Sequence, residues 1–527
     1  MEKTFEPTPE QQAIQAKARE RQGSLMITAF AGCAKTSTLE LAAQEIKVPA
    51  LGLAFAKADA KRMVETFPEN FVCKTSNAFG HGVWARTTDR RLTLDDRKMS
   101  KIVSQILKDR KIDKDKDLWG NVLGLVGKAM QVGLIPSSLQ AKFGEGLVPD
   151  SSDVWCGLGD DLWLSEEQTL EIKDLAREAL EQSIQLAISG TISFDDQIYA
   201  PLMLGGRFPQ FPVVFGDEAQ DWTAMQQLLV EKSLRPGGRL AIVGDPKQAI
   251  YAWRGAQSDS MRVFRKRQQR LEWTDLKLSL TFRCPKVVVE RQQGHVPGFR
   301  AHERNKLGSF ARWMEQFGLE SEFEGWNEKK LFEQSSNPRD EIAILCRNNG
   351  PLLAMAFKLI RKGIGVQMLG RDIGKGLILL SNKLAKEDST PTDIVRGKIL
   401  EWQESESSKA LANGQDGKIA GITDRAECLL AVLEGSQCKD AGQMREMITK
   451  IFSAEDGQIT LSSIHRAKGK EWDVVLHLDP WRVPSKFARK AARAGDSRQL
   501  EQEFNLIYVC ETRSKNVLLQ ANLEDFQ

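Results

Sequence analysis

No run of about 18 apolar residues occurs anywhere in this 527-residue sequence, so a membrane-spanning helix is not expected. Residues 1–10 are charged and broken by proline. They lack the apolar region of a secretory signal, and none is expected. The eight cysteines (Cys33, Cys73, Cys156, Cys284, Cys346, Cys428, Cys438 and Cys510) contain no CxxC pair. That pattern points away from zinc and toward reduced thiols in a cytoplasmic location. Internal repeats and low-complexity tracts are missing too. A net charge of +3 neither demands nor excludes a polyanionic partner. Basic residues do cluster at 262–270 and 486–493, where each cluster reads either as a solvated helix face or as a contact for phosphates.

What is present is an ordinary soluble composition, 41% hydrophobic and 28% charged, in a chain too long for one core. Two to four domains are expected. The runs 25–28, 51–55, 213–215 and 240–243 are short, apolar and unalternating, as strands buried on both faces of a parallel sheet are. Helical stretches separate them, which argues for an α/β core. Far more chain lies between Lys35 and Asp217 than two strand–helix units of roughly 30 residues use. The surplus, near 83–190, reads as a helical insertion whose clearest helix opens on the capping box Ser165–Gln168. A second α/β core starts near Leu276, with strands at 341–346, 459–464 and 474–478 and a helix at 352–361. Polar, broken text at 389–392, 404–408 and 413–417 suggests a second, mostly helical insertion with loops.

Ala29-Phe-Ala-Gly-Cys-Ala-Lys-Thr36 lies between a strand and a helix, the context of a phosphate-binding loop. Its backbone amides and helix N-terminus attract phosphate, Lys35 reaches the β- and γ-phosphates, and Thr36 holds Mg²⁺. The residue before the lysine is Ala34 where glycine is usual, a change that helical dihedrals would tolerate. Pro212-Val-Val-Phe-Gly-Asp-Glu-Ala-Gln-Asp221 sets two carboxylates at the end of a buried strand, where they need a compensating cation or solvent. Asp217 fits as an Mg²⁺ ligand and Glu218 as the base that orients a water, while Asp221 fits a helix cap. The two halves together point to an NTPase.

Further motifs now carry a resemblance. Thr8-Pro-Glu-Gln-Gln-Ala-Ile14, Gly244-Asp-Pro-Lys-Gln-Ala-Ile-Tyr-Ala-Trp-Arg-Gly-Ala256, Leu280-Thr-Phe-Arg-Cys-Pro285, Ser463-Ile-His-Arg-Ala-Lys-Gly-Lys-Glu-Trp472 and Glu503-Phe-Asn-Leu-Ile-Tyr-Val-Cys-Glu-Thr-Arg-Ser-Lys515 follow in order. With them the sequence resembles superfamily 1 DNA helicases of the UvrD/Rep type, from Gln11 almost to its end. The resemblance implies an α/β fold of two RecA-like parallel-sheet cores, each with a mostly helical insertion. The expected segments are 1–82 and 191–274 for the first core around an insertion at 83–190, then 275–374 and 458–527 for the second around a shortened insertion at 375–457. It implies ATP and Mg²⁺ as cofactors, with Gln11 reading adenine and Ala31, Gly32, Cys33, Ala34, Lys35, Thr36 and Ser37 holding phosphates. Gln248, Arg283 and Arg513 would sense or stabilise the γ-phosphate, Phe282 would stack on adenine and Glu471 would touch the nucleotide. ATP would then bind between the cores, and its hydrolysis would drive one along DNA relative to the other.

For the DNA track the resemblance implies Phe55, Thr75, Asn77, Trp253, Arg254 and His465, aromatics for stacking and polar groups for phosphates. Phe55 also fits a core position at a strand end, Asn77 stands where many relatives carry His, and Trp472 fits the core better than DNA. His81, His295 and His302 show no ligand pattern and are assigned no role. The implied partners are single-stranded DNA and single-strand/duplex junctions, with no membrane, in replication, repair or recombination alongside their proteins. The third motif resembles the branch that moves 3′ to 5′. The sequence ends shortly after Arg513, near where relatives build a strand-separating hairpin, and shows no nuclease domain. Strand separation by another element, a translocase that strips proteins, and an ATP-binding assembly factor with weak hydrolysis therefore all stay open.

Overall fold

The computed structural model describes residues 6–20, 22–112, 116–160, 162, 164–250, 259–312, 341–412, 416–454, 456–495 and 497–526. Its contacts divide the chain into two compact units, one reaching to Leu278 and the other formed by Ser279–Gln527 together with Phe30–Cys33.

The apolar runs of the first unit become a six-stranded parallel sheet of β1 (Ser24–Ala29), β2 (Ala50–Ala54), β3 (Phe71–Thr75), β4 (Phe211–Gly216), β5 (Leu234–Gly244) and β6 (Trp273–Leu278). Their order is β3-β2-β4-β5-β1-β6, with Ile27 opposite both Val243 and Leu276. Every residue of β2 is buried, which is why its sequence does not alternate. Because β4, β5 and β1 are neighbours, the loops leaving their carboxyl ends converge. In open parallel sheets that crevice is where ligands bind.

Between β3 and β4 run the helices Lys98–Asp109, Lys116–Gln131, Ser137–Phe143, Ser152–Asp160 and Glu166–Ser189. The last opens on the reciprocal capping box of Ser165 and Gln168 and closes on Gly190. Its face of Leu175, Ala176, Leu180 and Ile184 joins the same apolar core as Leu51 and Val214 of the sheet. Inside that core Lys98 pairs with Asp196 at 2.6 Å and donates to the Ser183 carbonyl at 2.7 Å, both side chains sealed from water. A pair so buried contributes little net stability, but losing one partner leaves the other charged in a dry site.

The second unit repeats the logic with β7 (Ser309–Arg312), β8 (Ile342–Cys346), β9 (Val366–Met368), β10 (Ile459–Ser463), β11 (Trp472–Leu478) and β12 (Ser514–Ala521). They are parallel throughout, in the order β7-β12-β11-β8-β10-β9. Trp472 is buried at the start of β11, in keeping with a core role. The fold is thus α/β with two RecA-like cores. Between β9 and β10 come the helices Arg371–Leu384, Thr392–Ala412, Asp416–Ser436 and Ala441–Ser453. One expectation fails here: 404–408 is no loop but the middle of the helix Thr392–Ala412. Serine weakens a helix by only about 0.5 kcal/mol, and burial of Val395, Ile399 and Ala410 outweighs that. Among the described residues no helix is long and apolar enough to cross a membrane.

Candidate functional site

The chain leaves β1, turns through residues 30–34 and enters the helix Lys35–Gln44. Ala34 sits at φ +55°, ψ +42°. The condition of helical dihedrals is therefore not met, and Ala34 occupies the left-handed region that costs an L-residue about 1–2 kcal/mol. Such strain persists only where the surroundings impose it. Here the same residue's carbonyl accepts the Thr38 amide, the first bond of the helix. Thr36 is half-buried in that first turn, and the Ser37 hydroxyl accepts from Arg62 at 3.4 Å. Gln11 is buried and already occupied. Its carbonyl accepts the Thr8 amide at 3.0 Å and its amide donates to the Thr38 hydroxyl at 3.1 Å, tying the N-terminal helix to the phosphate-loop helix.

Lys35 Nζ lies 2.9 Å from Glu218 Oε1. Burial alone would lower the ammonium, but Glu218, Asp217 and Asp245 outweigh it and hold Lys35 above its ordinary value. Asp217 directly follows β4, and burial followed by repulsion from Glu218 pushes it up to about 7. Burial also raises Asp245, beyond the carboxyl end of β5. Three carboxylates around one ammonium leave a surplus of negative charge, the setting that a hard divalent cation satisfies with oxygen ligands.

The carboxylates are held by a relay that sequence reading missed. Gln220 donates to Glu218 and, through its carbonyl, accepts the Asp245 amide at 2.9 Å. Asp245 in turn accepts from Gln248 at 2.6 Å. Glu218 itself stands at φ +51°, a second strained residue in this one cluster. The signal for Gln220 was present in the string Asp217–Asp221, but nothing in sequence pairs it with a residue on the next strand.

In the second unit Arg283 pairs with Glu471 at 2.5 Å. Arg513 is 1% exposed and donates to the carbonyls of Val509 and Lys470, at 2.9 and 3.2 Å. In this state it is anchored to backbone rather than projecting. Phe282 is 38% exposed, and its ring lies 5.0 Å from that of His302, tilted by 31°. His302, given no role from sequence, thus flanks the ring expected to stack on adenine. Cys33 is buried, and the Ala31 amide donates to the Tyr508 hydroxyl at 2.7 Å. Gly32, at φ +69°, comes so close to Thr281 and Arg283 that an added Cβ would meet atoms at 2.5 and 2.6 Å, within the same unit.

Comparison with known proteins adds a family to this geometry. The UvrD/REP helicase N-terminal domain matches residues 8–269, and the UvrD-like helicase C-terminal domain matches residues 409–522. The chain belongs to the UvrD/REP helicase family. F-box DNA helicase protein 1 of Schizosaccharomyces pombe is 25% identical over 522 residues, covering 94% of this chain and 55% of that protein. F-box DNA helicase 1 of Gallus gallus is 25% identical over 557 residues, 98% of this chain and 49% of that protein. ATP-dependent DNA helicase PcrA of Bacillus subtilis is 24% identical over 284 residues, 53% of this chain and 36% of that protein. The chain spans about half the length of the first two relatives and less of the third.

For a UvrD-like chain the remaining question is where the expected DNA residues fall. Phe55 follows β2 and is 39% exposed, so the core alternative for it is excluded. The Thr75 hydroxyl caps the helix Ser76–Thr88 by accepting the Ala78 amide at 3.2 Å. Asn77 donates to the carbonyl of Phe194 at 3.2 Å, and Phe194 exposes 57% of its surface. That aromatic was missed, although its place before Asp195 and Asp196 in a loop could have marked it. His465 lies half-buried in the turn after β10. Trp253 and Arg254 lie outside the described residues.

Proposed function

We propose that this chain is an ATP-hydrolysing motor that moves 3′ to 5′ on single-stranded DNA and separates strands at junctions. The observation that carries the reading is the buried charge cluster of Lys35, Asp217, Glu218 and Asp245 beyond three neighbouring parallel strands. Lys35 binds the β- and γ-phosphates and Glu218 orients the attacking water, its carboxylate fixed by Gln220. Mg²⁺, held by Thr36 and Asp217, would neutralise charge on the phosphate oxygens. Gln248, joined to Asp245, reports the γ-phosphate to this relay. Arg283 and Arg513 supply positive charge to the transition state, Glu471 contacts the nucleotide, and Phe282 with His302 flanks adenine.

On the DNA side Phe55, Phe194 and Trp253 offer stacking faces, while Thr75, Asn77, Arg254 and His465 offer polar contacts. The partners proposed are single strands and single-strand/duplex junctions, with replication or repair proteins beyond them. A cytoplasmic location belongs to the same proposal and rests on eight free cysteines, thiols that a reducing compartment preserves.

The test is ATP turnover with and without an oligonucleotide, beside streptavidin displacement from either DNA end. Stimulation by DNA, abolished by Lys35→Ala and lowered at least about a thousandfold by Glu218→Gln, with displacement from the 5′ end only, supports the motor. Binding of ATP without turnover would favour an assembly factor, the reading that the strained Ala34 invites. Displacement without opening of a duplex would favour a protein-stripping translocase.

A further inference from the structure

The basic cluster at 486–493 has no part in the nucleotide site. The helix Lys486–Arg493 carries Lys486, Arg489, Lys490 and Arg493, and no acid. Their spacing of i, i+3, i+4 and i+7 puts all four cations on one stripe. The other side buries Ala488 and packs on the helix Arg498–Glu511. Lys490 and Arg493 suit the carboxyl end of a helix, but Lys486 opens it, where the macrodipole disfavours a cation. Helix stability therefore does not account for the stripe.

Three of its four cations are not neutralised by neighbouring acids. Asp479 and Glu427 both pair with Arg482, and Glu503 pairs with Arg347. Lys486, Arg489 and Arg493 form no ion pair among the described residues. At the head of the stripe stands Trp481, 57% exposed, its carbonyl accepting from Arg489 at 3.2 Å. Arg482 lies 4.8 Å over one face of its ring, and an exposed aromatic beside such cations is the composition of a single-strand track.

Topology places this feature. The strands of the second sheet are all parallel, so His465 after β10 and Trp481 after β11 lie at the same, carboxyl end. Glu471 and Arg513 precede β11 and β12, at the amino end. We propose that Trp481 and the helix Lys486–Arg493 form a further contact for single-stranded nucleic acid, with phosphates along the stripe and a base on the indole. The stripe runs about 10 Å, roughly three nucleotides at the rise of one strand. The proposal rests on the motor reading, in which His465 marks the DNA-facing end.

The experiment follows the anisotropy of a fluorescein-labelled oligothymidylate bound by the full chain over a range of salt. The triple variant Lys486→Gln/Lys490→Gln/Arg493→Gln should lower the slope of log K against log salt by about 2, at roughly 0.7 for each phosphate no longer neutralised. Trp481→Ala should weaken binding about tenfold and leave the slope unchanged, since stacking releases no counterions. A triple variant with the wild-type slope overturns the proposal and leaves the stripe a solvated surface. Loss of poly-glutamate binding at an unchanged slope also overturns it, in favour of an acidic protein. Wild-type chain that ignores the oligonucleotide sinks the motor reading as well. Wild-type chain that binds it and is stimulated by it, beside an unaltered triple variant, sinks the stripe alone. Should the triple variant melt early, Arg493→Gln by itself should lower the slope by about 0.7.

Discussion

Two clusters, one in each unit, handle charge in opposite ways. In the first, Asp217, Glu218 and Asp245 crowd one ammonium, Lys35, and Asp217 is pushed up to about 7. In the second, arginines and carboxylates match closely: Arg283 with Glu471, Arg291 with Glu511, and Arg347 with Glu503. Unmatched charge is costly to fold around and is kept where a ligand relieves it. Matched charge is an ordinary means of holding a fold. Under the proposed function, a cation and phosphates would supply that relief in the first unit. In the second unit Arg283 and Arg513 are both engaged within the unit itself.

The largest way to break this contrast lies in the second unit. Glu511 is buried, held by two bonds from Arg291 and one from Gln292, and Arg291 lies 3.6 Å over the Phe310 ring. Arg291→Ala should destabilise the protein by about 3–5 kcal/mol in urea unfolding, because it strands a buried carboxylate. Wild-type stability would mean that pairing does not organise this core. Next comes His477 on β11, buried with neither ring nitrogen bonded. Burial, helped by the nearby Arg291, lowers it from 6.5 to about 4, against the carboxylates of Glu511 and Asp479. The folded state favours the neutral ring, so its contribution is complete above about pH 6.5 and fades as pH falls toward 4. The loss is about 3 kcal/mol, and it should vanish from the difference between pH 7 and 4 in His477→Leu.

Two smaller effects sharpen the picture of the first unit. Gln220→Ala cuts the relay between Glu218 and Asp245 and should lower kcat about tenfold with little change in KM. An equal rise in KM would make Gln220 a binding residue instead. Ala34→Gly should raise stability by about 0.5–1 kcal/mol, the relief of left-handed strain less the entropy of glycine. A loss of stability would show that the alanine methyl packs usefully.

Much of the fold was legible because parallel strands buried on both faces leave short apolar runs, and Ser165 with Gln168 announces its helix outright. The run 404–408 misled because a helix held by three buried side chains elsewhere along its length does not advertise itself in its polar middle. Of the proposed nucleotide site, the positions of Lys35, Asp217 and Glu218 just beyond strands could be read directly. The dihedrals of Ala34 could not, because φ is set by the closing of the loop rather than by the residue. Gln220 with Asp245, His302 beside Phe282, and Phe194 beside Asn77 were equally hidden. Each pair is brought together by folding across a separation that sequence spacing does not encode.

The backbone at Glu218 has a consequence for anyone who tries to harden this protein. A glycine or asparagine there would relax the left-handed turn while deleting the proposed base. A screen for heat resistance would therefore enrich variants at position 218 that survive and do nothing, so a library meant to yield durable, working protein has to hold that codon fixed.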